Sequence, residues 1–285
     1  MGVAWATTIA AGLLATGCSA GSTGGGAEPT PPPIAASPTA PATGYDGLTR
    51  LPLSAYGTSQ QDDDRLFTAN KALVVRCMKG RGHQSYSGQN MIGATVETEA
   101  DKEAAAPSGA WGYIGRATAG RQGFHPPASE TGGAAGLAGQ EGKDFAACAG
   151  EAQKQLPDQT SGDGWKLTQA LFGRSLQEAG QDARVTAARK RWSACMSAAG
   201  HPAEDPEKLA AGPWNTAKPT ADEIAKAAAD ESCTRSSNLA AVYFAVLDGY
   251  QRQLESNNAE ALNAYQKEVQ ERRGKVSRLL AGHPG

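Results

Sequence analysis

The pattern Cys-Met-x-x-x-Gly-His occurs twice in the sequence and constrains the fold more than any other feature. It covers residues 77–83 and 195–201, and each copy ends an apolar stretch with helical spacing. A glycine directly after a helix adopts the left-handed conformation that stops it, and the next residue packs back on the last turn. We therefore expect each copy to end a helix that carries a cysteine near its C-terminus.

Each copy is followed by one more cysteine, Cys148 after the first and Cys233 after the second. Four cysteines allow three pairings, and the order of the repeat favours Cys77–Cys148 and Cys195–Cys233. Disulfides persist in exported proteins, and each of these would add about 4 kcal/mol in the chain-entropy model. Such cross-links matter here because Leu, Ile, Val and Phe together number only 38 of 285 residues, which makes for a small apolar core.

A soft-metal site is the alternative interpretation of the repeat. Thiol, thioether and imidazole groups suit copper(I), and a cysteine and a histidine at this spacing could also contribute to a zinc site. The candidate ligands are Cys77, Met78, His83, Cys195, Met196 and His201. Adjacent side chains point about 100° apart on a helix, so a cysteine and the methionine after it rarely bind one ion. We predict no metal and no cofactor.

The first 17 residues have the composition of an export signal. Residues 3–17 are apolar or small and uncharged, too few to cross a bilayer but suited to the apolar region of a signal peptide. They reach Cys18 through Leu-Ala-Thr-Gly, which resembles the lipobox of bacterial lipoproteins, whose cysteine is diacylated and becomes the first residue. We predict a signal peptide over 1–17, lipidation of Cys18, and attachment to the extracytoplasmic face of the cell membrane.

A Pro-, Gly- and Ala-rich stretch follows the lipobox and extends to residue 46. This composition is typical of a linker, so we predict a disordered tether over 18–46 and a single domain over 47–285. The cysteine pairs divide that domain into a first half, 47–157, and a second half, 158–285.

Apolar residues at helical spacing predict a mainly α domain cross-linked by disulfides. The predicted helices cover 60–79, 143–156, 165–176, a stretch after Asp182, and a last segment from Thr220 to residue 278. The last segment starts with a capping box, Thr220-Ala-Asp-Glu223. It forms either one long helix or a hairpin with a break near residues 256–258. We expect the Gly/Ala-rich residues 84–142 to be largely irregular.

Signatures of enzymes and of nucleic-acid binding are missing from the sequence. It contains no G-x-S-x-G, no H-E-x-x-H and no P-loop. His125 is the only candidate general base, and a structural role is more common for such a loop histidine. The formal net charge of −2 argues against a nucleic-acid partner. The tryptophans at 111, 165, 192 and 214 belong either to the core or to a ligand-stacking surface.

Six short stretches follow one another in a specific order after about residue 51. They are Arg76-Cys77-Met78, Gly123-Phe124-His125, Cys148-Ala-Gly-Glu-Ala152, Arg191-Trp192-Ser-Ala-Cys195-Met196, Pro219-Thr-Ala-Asp-Glu-Ile224 and Tyr250-Gln-Arg-Gln-Leu254. In these stretches the chain resembles uncharacterised secreted proteins and lipoproteins of Streptomyces and related actinobacteria. The resemblance implies an exported, disulfide-bearing helical protein, and it brings no catalytic residues.

Taken together, the sequence predicts a lipid-anchored helical protein that binds another component of the cell envelope or has a structural role there. The partner would be an envelope protein that contacts the C-terminal helix. The alternative prediction is a lipoprotein that binds a small ligand or a soft metal.

Overall fold

Ten α-helices and one 3-10 helix make up the described part of the chain, which contains no strand. The computed structural model describes residues 28–57, 60–91, 114–125, 136–157, 162–214, 216 and 218–282. The elements are α1 Gly44–Thr49, the 3-10 helix Pro52–Tyr56, α2 Gln60–Gly80, α3 Arg116–Gln122, α4 Gly139–Gln155, α5 Asp163–Gln181, α6 Ala183–Ala198, α7 Pro206–Ala210, α8 Ala221–Ser236, α9 Leu239–Asn257 and α10 Ala259–Ala281. The mainly α fold class is confirmed, while the predicted signal peptide and Cys18 lie outside the described residues.

Helix α9 is the centre of the larger part of the fold. Eleven of its 19 residues are buried, so other elements must cover it on several sides. Helices α5, α6 and α8 pack against it together with the 3-10 helix. The core around it includes the buried aromatic residues Trp192, Tyr243 and Tyr250.

The segment after Thr220 forms three helices, of which the last is the long C-terminal helix α10, and the predicted break near residues 256–258 separates it from α9. Helix α8 starts with the predicted capping box and ends at Ser236. Asn238 then adopts a left-handed φ of 59°, and Asn258 separates α9 from α10. Helices α9 and α10 do not form a tightly packed hairpin, because they make few contacts with each other and both pack on α5.

Helices α2 and α4 form a second, smaller core. The Cys77–Cys148 disulfide joins them and lies among the buried side chains of Met78, Tyr86 and Leu156. The end of α10 completes this core with Val276. The start of α10 packs in a third core, which lies beside α5. Helix α10 is therefore the main connection between the α2–α4 unit and the rest of the protein.

Residues 28–43, the N-terminal strap, lie against α5, α6 and α9. Glu28 pairs with Arg174. The backbone of Thr30 exchanges two hydrogen bonds of 2.9 Å with the side-chain amide of Gln253. The structure therefore differs from the predicted disordered tether over 18–46, since the chain is packed on the domain from residue 28 onward.

Pro32 occupies the most restrictive position of the strap. Its ring lies over Gly249 of α9, where an added Cβ would come within 2.6 Å of the proline Cγ. Its carbonyl oxygen accepts a hydrogen bond of 2.7 Å from Arg184 Nη1. Arg184 in turn pairs with the buried Asp182, so the strap is tied to the start of α6.

Replacing Gly249 by alanine is expected to displace the strap although alanine is the better helix former. The Cβ would overlap a rigid ring, and the proline has to move. Gly173→Ala on α5 is the matched control, because an added Cβ there meets no other atom within 4 Å. The control should gain about 0.5–1 kcal/mol in unfolding free energy. Hydrogen exchange of the Thr30 amide, which donates to Gln253 Oε1 in the wild type, measures the displacement, and unchanged protection of this amide in Gly249→Ala would contradict it.

Candidate functional site

Both copies of the Cys-Met-x-x-x-Gly-His pattern end a helix, as predicted. The backbone N–H of His83 donates to the carbonyl of Met78 at 3.1 Å, and that of His201 donates to the carbonyl of Met196 at 3.0 Å. The glycines before the two histidines have φ values of 100° and 81°. These are the hydrogen bonds and the conformation of a Schellman helix stop, which explains the Gly-His pair in each copy.

All four cysteines of the domain are oxidised. The sulfurs of Cys77 and Cys148 are 2.01 Å apart, and so are those of Cys195 and Cys233. The pairing predicted from the order of the repeat is therefore confirmed.

The other proposed soft-metal ligands do not come together. Met78 and Met196 have no exposed surface and lie in different cores, and His83 Nε2 is 3.0 Å from a carboxylate oxygen of Asp144. Over the described ranges, no group of three or more His, Cys, Asp or Glu side chains is arranged to hold a metal.

His125, the one candidate general base, lies beside a structural carboxylate. Its Nδ1 is 3.6 Å from Glu223 Oε2, and that oxygen also accepts the N–H of Thr220 in the capping box. Gly123 makes this approach possible, because it has a φ of 60° and a Cβ there would lie 2.8 Å from Glu223 Cγ. The side chain of Glu223 is fully buried and that of His125 is 16% exposed, so the imidazole faces a carboxylate whose other contact caps α8.

A buried carboxylate cluster, formed by Glu223, Asp230 and Glu231, lies on one side of α8. Sequence reasoning missed it, because acidic residues are normally assigned to the solvent face. The available signal was the spacing. The three acidic residues share one side of α8 with Ala227, Cys233 and Thr234, so polar and apolar residues are not separated onto two faces of this helix. The cluster contacts α3 on one side and α6 on the other.

Asp230 is the most deeply buried member of the cluster. Its Oδ1 accepts hydrogen bonds from Trp192 Nε1 at 2.7 Å and from Thr234 Oγ1 at 3.3 Å. Its Oδ2 accepts none from the part of the chain that the structure describes. Burial raises the pKa of Asp230 well above its ordinary value, and the neighbouring Glu231 carboxylate raises this pKa further.

Glu231 has partners on two elements. Arg235 lies one turn later on α8, with an N–O distance of 2.6 Å, and the backbone N–H of Gly115 also donates to the Glu231 carboxylate. Burial nevertheless raises the pKa of Glu231, because desolvation outweighs these contacts.

Replacing Asp230 by asparagine is expected to stabilise the protein by about 1–2 kcal/mol at neutral pH. Asp230 has a higher pKa in the folded protein than in the unfolded chain, so folding favours its protonated form. The wild type therefore loses stability as pH rises above the pKa that Asp230 has in the unfolded chain, and the loss continues up to its pKa in the folded protein. Asparagine keeps the acceptor for Trp192 and carries no charge. Urea unfolding at about pH 5 and pH 8 checks this, with the exposed Asp222→Asn on the same helix as control. A gain of equal size at both pH values would contradict the assignment.

A concave site lies where the first turn of α2 meets the second half of α10. Its volume is about 250 Å³, and Leu66, Val269 and Val276 supply its apolar lining. Arg273 forms a wall and binds Asp62 through two hydrogen bonds of 2.7 and 2.9 Å. Arg65 donates to Ser277 Oγ at 3.0 Å across the same site. The cavity can accept a small, partly apolar molecule with a polar end.

The tryptophans of the described residues have structural positions. Trp192 is fully buried, and Trp165 is half-buried in the core beside α5. Trp214 stacks on Phe124 with ring centroids 5.7 Å apart, and its indole N–H donates to the carbonyl of Leu209. Of the two alternatives for these tryptophans, the described three therefore have core or packing positions, while Trp111 lies outside the described residues.

No protein-family model matches this chain, and neither a curated protein nor a solved structure shows significant similarity to it. None of the helices within the described ranges is long and apolar enough to span a bilayer.

Proposed function

We propose that this chain is an exported lipoprotein whose helical domain serves as a non-catalytic binding or structural module of the cell envelope. The observation that carries the proposal is the use of its five cysteines. Four of them pair inside the domain, which leaves Cys18 alone, directly after an apolar run that suits an export signal. A disulfide-bearing domain fits an oxidising compartment, and an unpaired cysteine at that position fits lipidation.

The packing of the strap supports a short distance between the proposed anchor and the domain. Nine residues separate Cys18 from Glu28, and a fully extended chain of that length reaches no more than about 35 Å. The domain would therefore sit near the membrane surface rather than on the long stalk that a linker over 18–46 would give. A module held at this height suits a partner in or next to the membrane.

A non-catalytic role is supported by where the perturbed groups lie. Asp230, whose pKa is shifted most clearly, is fully buried among helices and does not line the cavity between α2 and α10. His125 is held beside a capping carboxylate. Asp230 has no exposed surface, and His125 faces the carboxylate that caps α8.

The anchor is tested by expressing the full chain in an actinobacterial host. The wild type should fractionate with membranes, and its mature N-terminal peptide should begin at Cys18 and carry a diacylglyceryl group by mass spectrometry. Cys18→Ala should leave the membrane fraction or keep its signal peptide, whereas Ser19→Ala should behave like the wild type. A mature N-terminus without lipid would refute the anchor.

Binding is tested separately by photocross-linking on intact cells. A photoreactive residue at Gln270, exposed on α10 beside two open clefts, should capture a defined envelope protein. The same residue at Ala187, exposed on α6, serves as control and should not capture it. Equal capture at both positions, or none at either, would contradict an interaction through the C-terminal helix.

A small-ligand function is the second candidate, and the cavity between α2 and α10 favours it. The apolar lining suits an aliphatic body, and a carboxylate head would bind a guanidinium at the edge in competition with Asp62 and Asp63, which line the same cavity. Thermal unfolding in the presence of short-chain fatty acids tests the idea. Ser277→Trp, at the cavity, should abolish the stabilisation, and Ala261→Trp, on an exposed part of α10, should keep it.

A further inference from the structure

The first six residues of the N-terminal strap have the burial pattern of a polyproline II helix. Their sequence is Glu-Pro-Thr-Pro-Pro-Pro, and they form neither an α-helix nor a strand. Pro29 is half-buried and Pro32 is buried, while the residues directly before and after Pro32 are exposed. A polyproline II helix has three residues per turn, so every third side chain faces the domain.

The domain holds this part of the strap by its backbone. The side-chain amide of Gln253 accepts the N–H of Thr30 and donates to the carbonyl of the same residue, both at 2.9 Å. Arg184 Nη1 donates to the carbonyl of Pro32 at 2.7 Å. A polyproline II helix has no internal hydrogen bonds, so its backbone groups are available to a binding surface. Contacts of this kind recognise a backbone conformation.

Two further contacts select residue types along the strap. The Pro32 ring fills the space over Gly249, where an added Cβ would come within 2.4 Å of the proline Cβ. Arg174 pairs with Glu28. The residue midway between Glu28 and Pro32 donates its backbone N–H, which a proline does not have. The matching ligand therefore has an acidic residue, a non-proline residue two positions later, and a proline two positions after that.

Four residues of α5, α6 and α9 make these contacts and form the strap seat: Arg174, Arg184, Gly249 and Gln253. Arg184 is positioned by the domain itself, because the carboxylate of Asp182 accepts from its Nε at 2.9 Å and from its Nη2 at 2.6 Å. Gly249 is a poor helix former in the middle of α9, and its lack of a side chain makes room for a proline ring. The donor and the slot therefore stay in place when the strap leaves the seat.

The strap is held loosely enough to leave. The contacts of Glu28 and Thr30 are exposed, and exposed ion pairs contribute little to stability. Pro32 is the only buried residue between positions 28 and 34. A segment held by one buried ring opens without unfolding the helices under it.

We propose that the strap seat is a recognition site for proline-rich peptides, which residues 28–34 occupy as a ligand from the same chain. The partner is a segment of another protein with the pattern Glu-Pro-x-Pro-Pro, in which x is not proline. The strap competes with this segment because both use the same seat, so it lowers the apparent affinity of the protein for the partner. The seat lies apart from the α10 surface discussed above, and the proposal does not depend on the lipid anchor.

Peptide binding to the full chain, in detergent and with both disulfides intact, tests the proposal. The probe is a fluorescent peptide of residues 28–34 with an amidated C-terminus, and its anisotropy reports binding. The variant Thr30→Pro/Pro32→Gly removes an N–H and the buried ring from the strap, so the seat is open. It should bind the peptide at least about tenfold more tightly than the wild type does. Equal affinity of the two proteins, or no binding to the variant at about 1 mM peptide, would overturn the proposal.

A changed peptide and a matched pair of protein variants assign the binding to the seat. The peptide that carries Thr30→Pro cannot donate to Gln253, so it should bind at least about tenfold more weakly. In the open variant, Gly249→Ala should abolish binding because its Cβ takes the space of the proline ring. Gly173→Ala should leave binding unchanged, since a Cβ there meets no atom within 4 Å. Binding that tolerates both the changed peptide and Gly249→Ala would overturn the proposal.

Two additional measurements complete the test. Hydrogen exchange of the α9 amides shows whether the open variant is folded; if it is not, Thr30→Pro alone, which changes one exposed residue of the strap, decides by the same comparison. Sedimentation of the wild type without peptide identifies the other possible occupant. A dimer that the open variant does not form would assign the seat to the strap of a second copy and overturn the proposal. These assays leave the anchor and the α10 surface untested, so their failure would not count against the proposed function.

Discussion

Replacing both Cys77 and Cys148 by alanine is expected to unfold α2 and α4 while the larger part of the protein stays folded. The disulfide spans 71 residues, and its removal costs about 4 kcal/mol in the chain-entropy model. The core shared by these two helices is small and includes the disulfide itself. A loss of that size is therefore close to the whole stability that such a unit can have.

The unfolding should be local because the α2–α4 unit is joined to the remaining helices mainly through α10. Contacts across that connection include the Asp62–Arg273 ion pair at 2.7 Å and the packing of Val276. Hydrogen exchange should show loss of protection in α2, in α4 and at the end of α10. The amides of α9 should keep theirs.

The second disulfide supplies the matched control. Cys195 and Cys233 join α6 to α8 inside the core around α9, so their replacement by alanine should lower protection throughout the larger part. The two double variants thus differ in the pattern of exchange and not only in the midpoint of unfolding. If both lost protection in the same helices, the division into two cooperative units would be wrong.

Replacing Trp192 by phenylalanine is expected to lower the free energy of unfolding by about 3–4 kcal/mol at neutral pH. The indole has no exposed surface, so the smaller ring leaves a cavity that costs about 1–2 kcal/mol. The indole N–H is also the closest donor to Asp230, at 2.7 Å. Its loss leaves the buried side chain of Asp230 with one long hydrogen bond from Thr234 and adds about 2 kcal/mol.

A double-mutant cycle separates these two contributions. In the Asp230→Asn background the acceptor is neutral, so Trp192→Phe should cost mainly the cavity term. The coupling between the two positions should be about 1–2 kcal/mol at pH 8 and should be smaller at lower pH, because a protonated acid is a weaker acceptor than a carboxylate. Urea unfolding of the four proteins measures it. An additive cycle at pH 8 would mean that the hydrogen bond contributes nothing to stability.

The elements that sequence could predict are those with a local signal. The positions of Gly82 and Gly200 identify two helix stops, and the order of the cysteines identifies both disulfides, because each feature depends on neighbouring residues in the chain. The capping box at Thr220 is local in the same way. The helix bounds were less accurate: the third predicted helix, 165–176, is the middle of α5, which extends from Asp163 to Gln181.

The elements that sequence could not predict depend on distant partners. Nothing within residues 28–43 indicates a packed strap, because its fit depends on the absence of a side chain at Gly249 and on Arg184. Helix α3 lies inside the region expected to be irregular, and its order within residues 114–125 depends on α8. The rest of that region includes residues 92–113 and 126–135, which lie outside the described residues. Asp230 is buried because Trp192, 38 residues away, offers it a donor.

The course of the strap also decides how the protein would respond to mechanical load. A chain anchored at Cys18 transmits any pull to the domain first at Glu28 and Thr30. Their contacts with Arg174 and Gln253 are exposed, and Pro32 and its bond to Arg184 come next along the chain. The pull reaches these contacts one at a time along the chain, so each breaks separately and at low force. The extension that each break releases keeps tension away from the disulfide-linked helices until the whole strap has detached.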